Sequence, residues 1–483
     1  MNSKTRITTT LILLFTFSTY FLAYAQPGAQ IWTLQECVNY ALENNLTIQN
    51  QELTLGIYDV NSKQAKMNYL PSLNASGQYG RNWGRSINPG TNTVTQLEQD
   101  NGFASLSLNW ILFSGLRNIN TVKQSNADLM VGQYSLEKSR NDITLLIVTY
   151  YTNVIFNKEL FENAKSQLES TTHQLERTSK QVEAGSLPRS ALLEMQAQAA
   201  SGELNVINTE NAVNLSYLQL KQVMQIPASE HLEIEIPEIE LSEADLADLN
   251  PDKVYEIAEA TMPEIKGADK NIESSILGVK VAQSSYYPRV TLGAGLNTNY
   301  SSIAAERGRY ETTGNILETP IGYVQTSGDI VVMPTDEIVS IPLSTGRQLE
   351  DNFGQSVGIG ISIPIFNNLQ VNAGVQRAKI AQSQAEILAE QTRQTLRQTI
   401  EMAYNDVYSS GKAFQSSLKR VEAQEEAFRA MKQRFENGAV NATEYELAEN
   451  NLFQAKSDLL RAKYNYIFKL KVLDFYQGKT IDF

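Results

Sequence analysis

Few residues in this 483-residue chain could carry out covalent or metal chemistry. It has one cysteine, Cys37, and two histidines, His173 and His231. One cysteine excludes an intramolecular disulfide framework, and these residues supply too few ligands for a Cys- or His-rich metal site. No convergent set of acid, base and nucleophile is present, and the net charge of -13 argues against a nucleic-acid partner. The sequence therefore predicts no enzyme, no metal and no cofactor.

Polar side chains occur instead in strict alternation with apolar ones. In the most regular segment, Val357, Ile359 and Ile361 alternate with glycine and Ser362. A period of two predicts a β-strand with one apolar and one polar face. Such strands are predicted over about 72–80, 104–112, 289–299 and 355–365. If the strands cross a bilayer, their polar sides line water, at Ser72, Asn74, Gln78, Ser105, Asn109, Thr291, Asn297 and Ser362. A soluble β-sandwich shows the same alternation and stays an alternative for the strands alone.

Heptad periodicity follows each strand pair and predicts two long coiled-coil helices, over about 118–184 and 370–437. At 1.5 Å per residue each would be about 100 Å long, far beyond a compact domain. Gly185 and Gly438 are placed to end them. The predicted return helices run over about 189–225 and 443–472. A shorter helix is predicted over 33–70, with Thr33 as its N-cap.

The second half of the chain repeats the first. A shift of 253 positions places Phe113 on Phe366 and Gly185 on Gly438 without a gap. The predicted plan is a first repeat at 26–225, a Pro-rich linker at 226–251, a second repeat at 252–474 and a tail at 475–483. The long second loop, 301–353, has no predicted structure.

The N-terminus predicts export. Lys4 and Arg6 precede an apolar stretch that ends in a small-x-small pattern at Ala25. These features are typical of a signal peptide over residues 1–25, cleaved between Ala25 and Gln26. No later run of 18 apolar residues occurs, so any part of the mature chain within a membrane would have to be β-strand.

Four amphipathic strands cannot close a barrel. An open sheet edge in lipid leaves unpaired N–H and C=O groups that cost several kcal/mol each. The sequence therefore predicts an oligomer. Two copies would give eight strands, with an interior filled by side chains, and three copies would give twelve, wide enough for a lumen.

The chain resembles the TolC family of outer-membrane efflux proteins over essentially its whole mature length. The resemblance rests on the duplicated plan, the strand-to-helix passages at 110–115 and 363–368, and a glycine followed five residues later by Ser or Thr, at Gly185 and Gly438. It implies an α+β membrane protein in the outer membrane, with helices in the periplasm. The implied homotrimer has a 12-stranded β-barrel continued by a 12-helix coiled-coil α-barrel.

The resemblance also implies partners at the helical tips. These are a periplasmic adaptor and, through it, an inner-membrane transporter, and the matching contact positions are Gly185, Leu187, Ser190, Gly438, Val440 and Thr443. The glycines could instead be turn formers only. Many family members narrow the periplasmic mouth with acidic residues, and Glu444 matches such a position, whereas Leu447 departs from the pattern. A solvated helix face is the alternative for Glu444.

The leading hypothesis is a passive export channel of a tripartite efflux or type I secretion system. An exported, trimeric coiled-coil structural or adhesin-like protein is the alternative, and it leaves the amphipathic strands without a role. The cargo is open among drugs, metal ions and secreted polypeptides.

Overall fold

The computed structural model describes residues 31–88, 93–237 and 250–479. The predicted signal peptide, its cleavage site at Ala25 and Gln26, part of the predicted linker and residues 480–483 lie outside the described residues. None of the helices in the described ranges combines the length and the apolar character that crossing a membrane requires.

The same order of elements occurs twice: two helices, two strands of one sheet, a helix of 67 residues and a returning helix. The first half contains β1 (Ile31–Trp32), α1 (Leu34–Asn44), α2 (Leu46–Met67), β2 (Ser72–Asn88), β3 (Thr93–Ser114), α3 (Arg117–Glu183) and α4 (Arg189–Met224). The second half contains β4 (Glu233–Ile234), α5 (Pro251–Thr261), α6 (Pro263–Gln283), β5 (Arg289–Ser301), α7 (Ser302–Arg307), β6 (Arg309–Tyr323), β7 (Ile330–Ile341), α8 (Thr345–Asp351), β8 (Gly354–Ser362), α9 (Gln370–Glu436) and α10 (Ala442–Tyr476).

The principal sheet has four antiparallel strands in the order β2-β3-β5-β8. A bulge between Ile111 and Phe113 interrupts the β3–β5 ladder near the end of β3. β2 and β8 are the two edges, and neither has a second partner strand among the described residues. Two further sheets are small: β1 pairs with β4 in parallel, and β6 forms a separate hairpin with β7.

The strand boundaries predicted in the first half are wrong. β2 and β3 continue well past 72–80 and 104–112 and form one long hairpin, in which Ser72 opposes Asn109 and Asn88 opposes Thr93. Most of the additional residues are polar, and cross-strand contacts connect them: Arg81 Nε donates to Asp100 Oδ1 at 2.6 Å. In the second half, β8 ends at Ser362 and not at 365, because Pro364 has no N–H to donate to a ladder.

The helix predicted over 33–70 is also wrong, because it is two helices. Thr33 caps α1 as predicted, in a capping box where its Oγ1 accepts the Glu36 N–H at 3.2 Å and its own N–H donates to Glu36 Oε2 at 2.8 Å. Asn45 then leaves helical geometry and is buried, and its side-chain amide donates to the Val223 carbonyl at 2.9 Å. This contact to α4 separates α1 from α2.

The final helix is longer than predicted. α10 begins at Ala442 and continues to Tyr476, beyond the predicted end at 472, so the tail does not begin at 475. Leu473 is fully buried, and Phe475 and Tyr476 pack against the same apolar cluster. Burial of this last turn explains why the helix continues.

The described residues divide into a sheet unit, residues 59–127 and 273–383, and a helical unit that holds the rest. The helical unit contains two apolar clusters with equivalent positions from the two halves. Ile147 and Val154 are fully buried in the first cluster, and Ile400 and Val407, 253 positions later, are fully buried in the second. All four lie within the two segments for which heptad periodicity predicts long helices. Cys37 is a fully buried member of the first cluster.

Candidate functional site

The polar residues predicted to line water share one face of the sheet. Ser72 opposes Asn109, Ser105 opposes Asn297, and Ser362 opposes Arg289. Directly opposed residues of an antiparallel sheet point to the same side, as do residues two apart along a strand. These two relations place all eight on one side, at Ser72, Asn74, Gln78, Ser105, Asn109, Thr291, Asn297 and Ser362. We call this side the polar face.

The opposite side, the apolar face, is uncovered in a single protomer. Val357 is 78% exposed and Ile359 is 67% exposed. Successive rows across the sheet read Leu73, Leu108, Ala294 and Val357, then Trp110, Leu292 and Ile359. Burial of such side chains in lipid or another apolar medium is favourable by about 1.5–3 kcal/mol each. The apolar face therefore has the character of a lipid-facing surface.

Aromatic residues mark two levels on the apolar face. Tyr79 and Tyr300 both oppose Gly102, and Trp110 lies eight residues further along β3. Eight residues at about 3.4 Å each span about 27 Å before tilt, close to the ~25 Å apolar band of membrane barrels with aromatic girdles. The Trp110 indole N–H donates to the Tyr69 carbonyl at 2.7 Å, so its polar atom is satisfied at the boundary. The spacing supports a membrane-embedded band.

A left-handed pair of residues joins each strand pair to its long helix. Gly115 and Leu116 have φ of 63° and 66°, and Asn368 and Leu369 have φ of 53° and 61°. This conformation costs a residue with a Cβ roughly 1–2 kcal/mol, so surrounding contacts must hold it. At Gly115 a Cβ would clash with the Ser284 carbonyl oxygen and lie 2.6 Å from the Tyr287 Cβ. The sequence identified these passages but not their conformation.

Each predicted tip is a tight glycine turn. Gly185 has φ 73°, and the Ser186 N–H donates to the Gln181 carbonyl at 2.9 Å, which closes the end of α3. Gly438 has φ 70°, and the Ala439 N–H closes α9 in the same way. Leu187 and Val440 are half-buried beside these turns, whereas Ser190 and Thr443 are exposed. An Arg177–Glu436 ion pair of 3.6 Å joins α3 to α9 near the two turns.

Glu444 lies in the first turn of α10. Asn441 is the N-cap, and its Oδ1 accepts the Glu444 N–H at 2.9 Å, while the Glu444 side chain is exposed. In the first half Pro188 occupies the N-cap position and makes no side-chain cap. The exposed carboxylate at the helix N-terminus therefore occurs in one of the two tips.

The sequence interpretation missed a buried cluster behind the second tip. Tyr445 is 4% exposed and packs between Phe428 and Phe435, with ring centroids at 5.4 and 4.9 Å, and burial raises its pKa to about 12. One turn along, Glu449 is 3% exposed; one carboxylate oxygen accepts the Ser170 hydroxyl at 2.7 Å, and the other is buried without a hydrogen-bond partner. The available signal was the heptad spacing of Phe428 and Phe435 on α9, with Tyr445 just beyond the turn.

Glu449 makes stability depend on pH. Burial raises the pKa of Glu449, opposed by the Ser170 hydrogen bond and by Lys432, and burial together with Glu194 and Glu449 raises the pKa of Glu446. No set of three His, Cys, Asp or Glu side chains in the described ranges could hold a metal ion. A carboxyl with a raised folded-state pKa stabilises the fold at acid pH, and this contribution is lost as pH rises from the unfolded pKa through the folded one.

We expect Glu449→Gln to stabilise the protein at pH 7.5 by about 1–2 kcal/mol, because it removes a buried charge with an unsatisfied oxygen. Thermal unfolding in detergent at pH 5.5 and 7.5 measures the effect, and the gain should be smaller at the lower pH. Glu422→Gln, at an exposed acid on α9, is the matched control and should change stability by less than about 0.5 kcal/mol. An unchanged melting temperature for Glu449→Gln at pH 7.5 would contradict the expectation.

The fold is that of an outer-membrane channel protein. The crystal structure of the CmeC outer membrane channel of Campylobacter jejuni matches with a TM-score of 0.72, covering 93% of this chain and 86% of that chain at 16% identity. The family model described as outer membrane efflux protein matches residues 37–224 and 254–478. The chain belongs to the outer membrane efflux protein family.

The description of one relative in sequence agrees with this placement. The outer membrane efflux protein BepC of Brucella suis is 20% identical over 443 residues, which cover 90% of this chain and 83% of BepC. An uncharacterized protein of Haemophilus influenzae is 22% identical over 56% of this chain, and the match spans 57% of that protein. The predicted resemblance and outer-membrane location are confirmed, and the family is one of channel proteins and not of enzymes.

Proposed function

We propose that the protein is a passive export duct that works as a homotrimer. The observation that carries this proposal is a sheet with an apolar face, a polar face and two edges, β2 and β8, that have no partner strand among the described residues. Pairing β8 of one copy with β2 of the next would satisfy both edges, as lipid requires. Three copies give twelve strands and a lumen, whereas two give eight strands whose interior side chains would fill.

The helices would continue the duct into the periplasm. Each copy would contribute the 67-residue helices α3 and α9, with α4 and α10 returning, to a twelve-helix α-barrel. The buried heptad positions Ile147 and Ile400 support coiled-coil packing of these helices. The adhesin-like alternative would use the helices as well, but it gives no role to a sheet with one polar and one apolar face.

The two tips would dock onto a periplasmic adaptor that is itself bound to an inner-membrane transporter, in an efflux or type I secretion system. Support comes from the geometry of each tip: a glycine turn that permits close approach, with Leu187 or Val440 beside it and Ser190 or Thr443 exposed. Glu444, exposed behind the second tip, would contribute one carboxylate from each copy to a narrow periplasmic mouth.

Conductance of the purified protein in a planar lipid bilayer tests the proposed duct. We expect discrete, ohmic single-channel steps from a detergent-extracted, heat-sensitive trimer. A monomer that needs no detergent, or a bilayer-inserted trimer without conductance, would overturn the proposal. The same recordings test Glu444, because Glu444→Gln should weaken block by a trivalent cation added on the tip side.

Docking is tested by crosslinking from the tip. Val440→Cys adds an accessible thiol to a chain whose single native cysteine, Cys37, is fully buried. We expect a thiol crosslinker attached to the Val440→Cys variant to capture at least about tenfold more adaptor in cell envelopes than one attached to the Glu401→Cys variant. The reason is distance, because Glu401 lies about 55 Å back along α9 at 1.5 Å per residue. Equal capture from both positions would show that the tip is not the docking site.

A further inference from the structure

The polar face of the sheet is almost free of charge. From Ser72 to Gly84 on β2 and from Gln99 to Asn109 on β3, the positions on this face hold amides, hydroxyls, glycines and one phenylalanine. β8 contributes serine and glycine only. Among the described residues of this face, the single ionised one is Arg289, the first residue of β5. The charged side chains of the long hairpin, such as Arg81 and Asp100, lie on the other face.

Arg289 has no ionic partner among the residues that the structure describes. Its side chain is exposed, it opposes Ser362 on β8 and Ser114 on β3, and no acidic side chain in the described ranges lies within ion-pairing distance of it. It lines a cleft of about 680 Å³ whose polar members include Ser72, Asn109 and Thr291. The hydroxyls of Ser72 and Thr291 already donate to backbone carbonyls. The guanidinium is therefore the strongest free donor in a cleft without a carboxylate.

We propose that Arg289 forms an anion-attracting site in the lumen, at the end of the strands nearest the long helices. It would bind the carboxylate, sulfonate or phosphate groups of solutes in transit. This inference rests on the proposed duct, in which three Arg289 side chains would share one cross-section. The neutral hydroxyls and amides around Arg289 leave its charge uncompensated.

The expected size of the effect follows from Coulomb's law. Three unit charges about 10 Å from the lumen axis, in water and screened over a ~10 Å Debye length, concentrate a monovalent anion about twofold and deplete a cation about twofold. Removing them should therefore lower the chloride-to-potassium permeability ratio by about fourfold. The comparison is with wild type, so charges elsewhere along the duct do not affect it.

Reversal potentials in a tenfold KCl gradient measure this ratio. We expect Arg289→Ser to shift the reversal potential towards that of potassium and Arg289→Lys to preserve the wild-type value. Ser362→Asp, directly opposite Arg289, should produce the same loss by neutralising the charge, which keeps the test valid if Arg289→Ser fails to assemble. Arg81→Ser, on the other face, is the control and should change nothing.

The outcomes separate this inference from the proposed function. Conducting trimers of Arg289→Ser and Ser362→Asp with the wild-type permeability ratio would overturn the anion site and leave the duct intact. A wild-type trimer without conductance would overturn the duct itself and the anion site with it. A shift of similar size for Arg81→Ser would show that the charge acts from outside the lumen and would also overturn the assignment.

Discussion

Arginine in place of Val357 is expected to reduce assembly in the outer membrane sharply. Val357 is 78% exposed in a single protomer and lies on the apolar face, between the row of Tyr79 and the row of Trp110. Val357 lies one row from Trp110 and three rows from Tyr79, so its depth is between the midplane, where a lipid-facing arginine costs about 2–4 kcal/mol in a membrane barrel, and the interface, where it costs about 0–1 kcal/mol. Every copy in the oligomer would carry this cost. The yield of heat-sensitive trimer extracted from outer membranes measures the loss.

Gly358→Arg is the matched control for this variant. Gly358 is the next residue of β8, lies at the same depth, and has open space where its side chain would extend on the polar face. Because an arginine there would reach water, we expect near-normal trimer yield and altered conductance. A trimer yield for Val357→Arg equal to that of Gly358→Arg would mean that the two faces are not distinguished by lipid.

A methyl group at Gly115 is expected to destabilise each protomer by about 2–5 kcal/mol. The left-handed φ of 63° contributes roughly 1–2 kcal/mol, and overpacking contributes typically 1–3 kcal/mol. The new Cβ would meet the backbone oxygen of Ser284 and the Cβ of Tyr287, neither of which is the flexible end of a side chain. We expect Gly115→Ala to lower the melting temperature of the trimer sharply, as followed by circular dichroism.

Gly56→Ala provides the comparison for a harmless methyl group. Gly56 lies inside α2 and is exposed, and no heavy atom lies within 4 Å of the position that the Cβ of an alanine would occupy. Alanine in a helix interior is favoured over glycine by roughly 0.5–1 kcal/mol, so this variant should be as stable as wild type or more so. Similar melting temperatures for Gly115→Ala and Gly56→Ala would refute the steric argument at the strand-to-helix turn.

The faces of the strands were predictable because alternation alone decides them. Ser105 and Asn297 are far apart in sequence, yet both were assigned to the polar side, and the β3–β5 register places them opposite each other. The long helices were predictable for a similar reason: a heptad repeat is a local signal that persists for many turns. α3 and α9 begin and end within one residue of the predicted bounds.

Other features were not predictable because their causes are not local. Beyond Tyr79 the apolar side of the long β2–β3 hairpin also carries charged residues such as Arg81, and contacts such as Trp83 Nε1 to Glu98 Oε1, 3.2 Å, exist only after the strands pair. The break at Asn45 depends on Val223 in another helix. The sequence around Glu449 resembles that of a solvated helix face. Glu449 is buried only because α10 packs against α3, where Ser170 lies.

The unpaired edges of β2 and β8 have a consequence for biogenesis. In the proposed trimer no single chain can close its own sheet, so assembly requires the association of three chains. The yield of trimer therefore falls more than in proportion when the concentration of chains falls. Until three copies assemble, each newly made chain exposes unpaired backbone N–H and C=O groups, with which an edge strand of another protein could pair. We therefore expect such a chain to need a chaperone on its way to the membrane. A modest fall in expression should reduce the amount of assembled trimer more than in proportion.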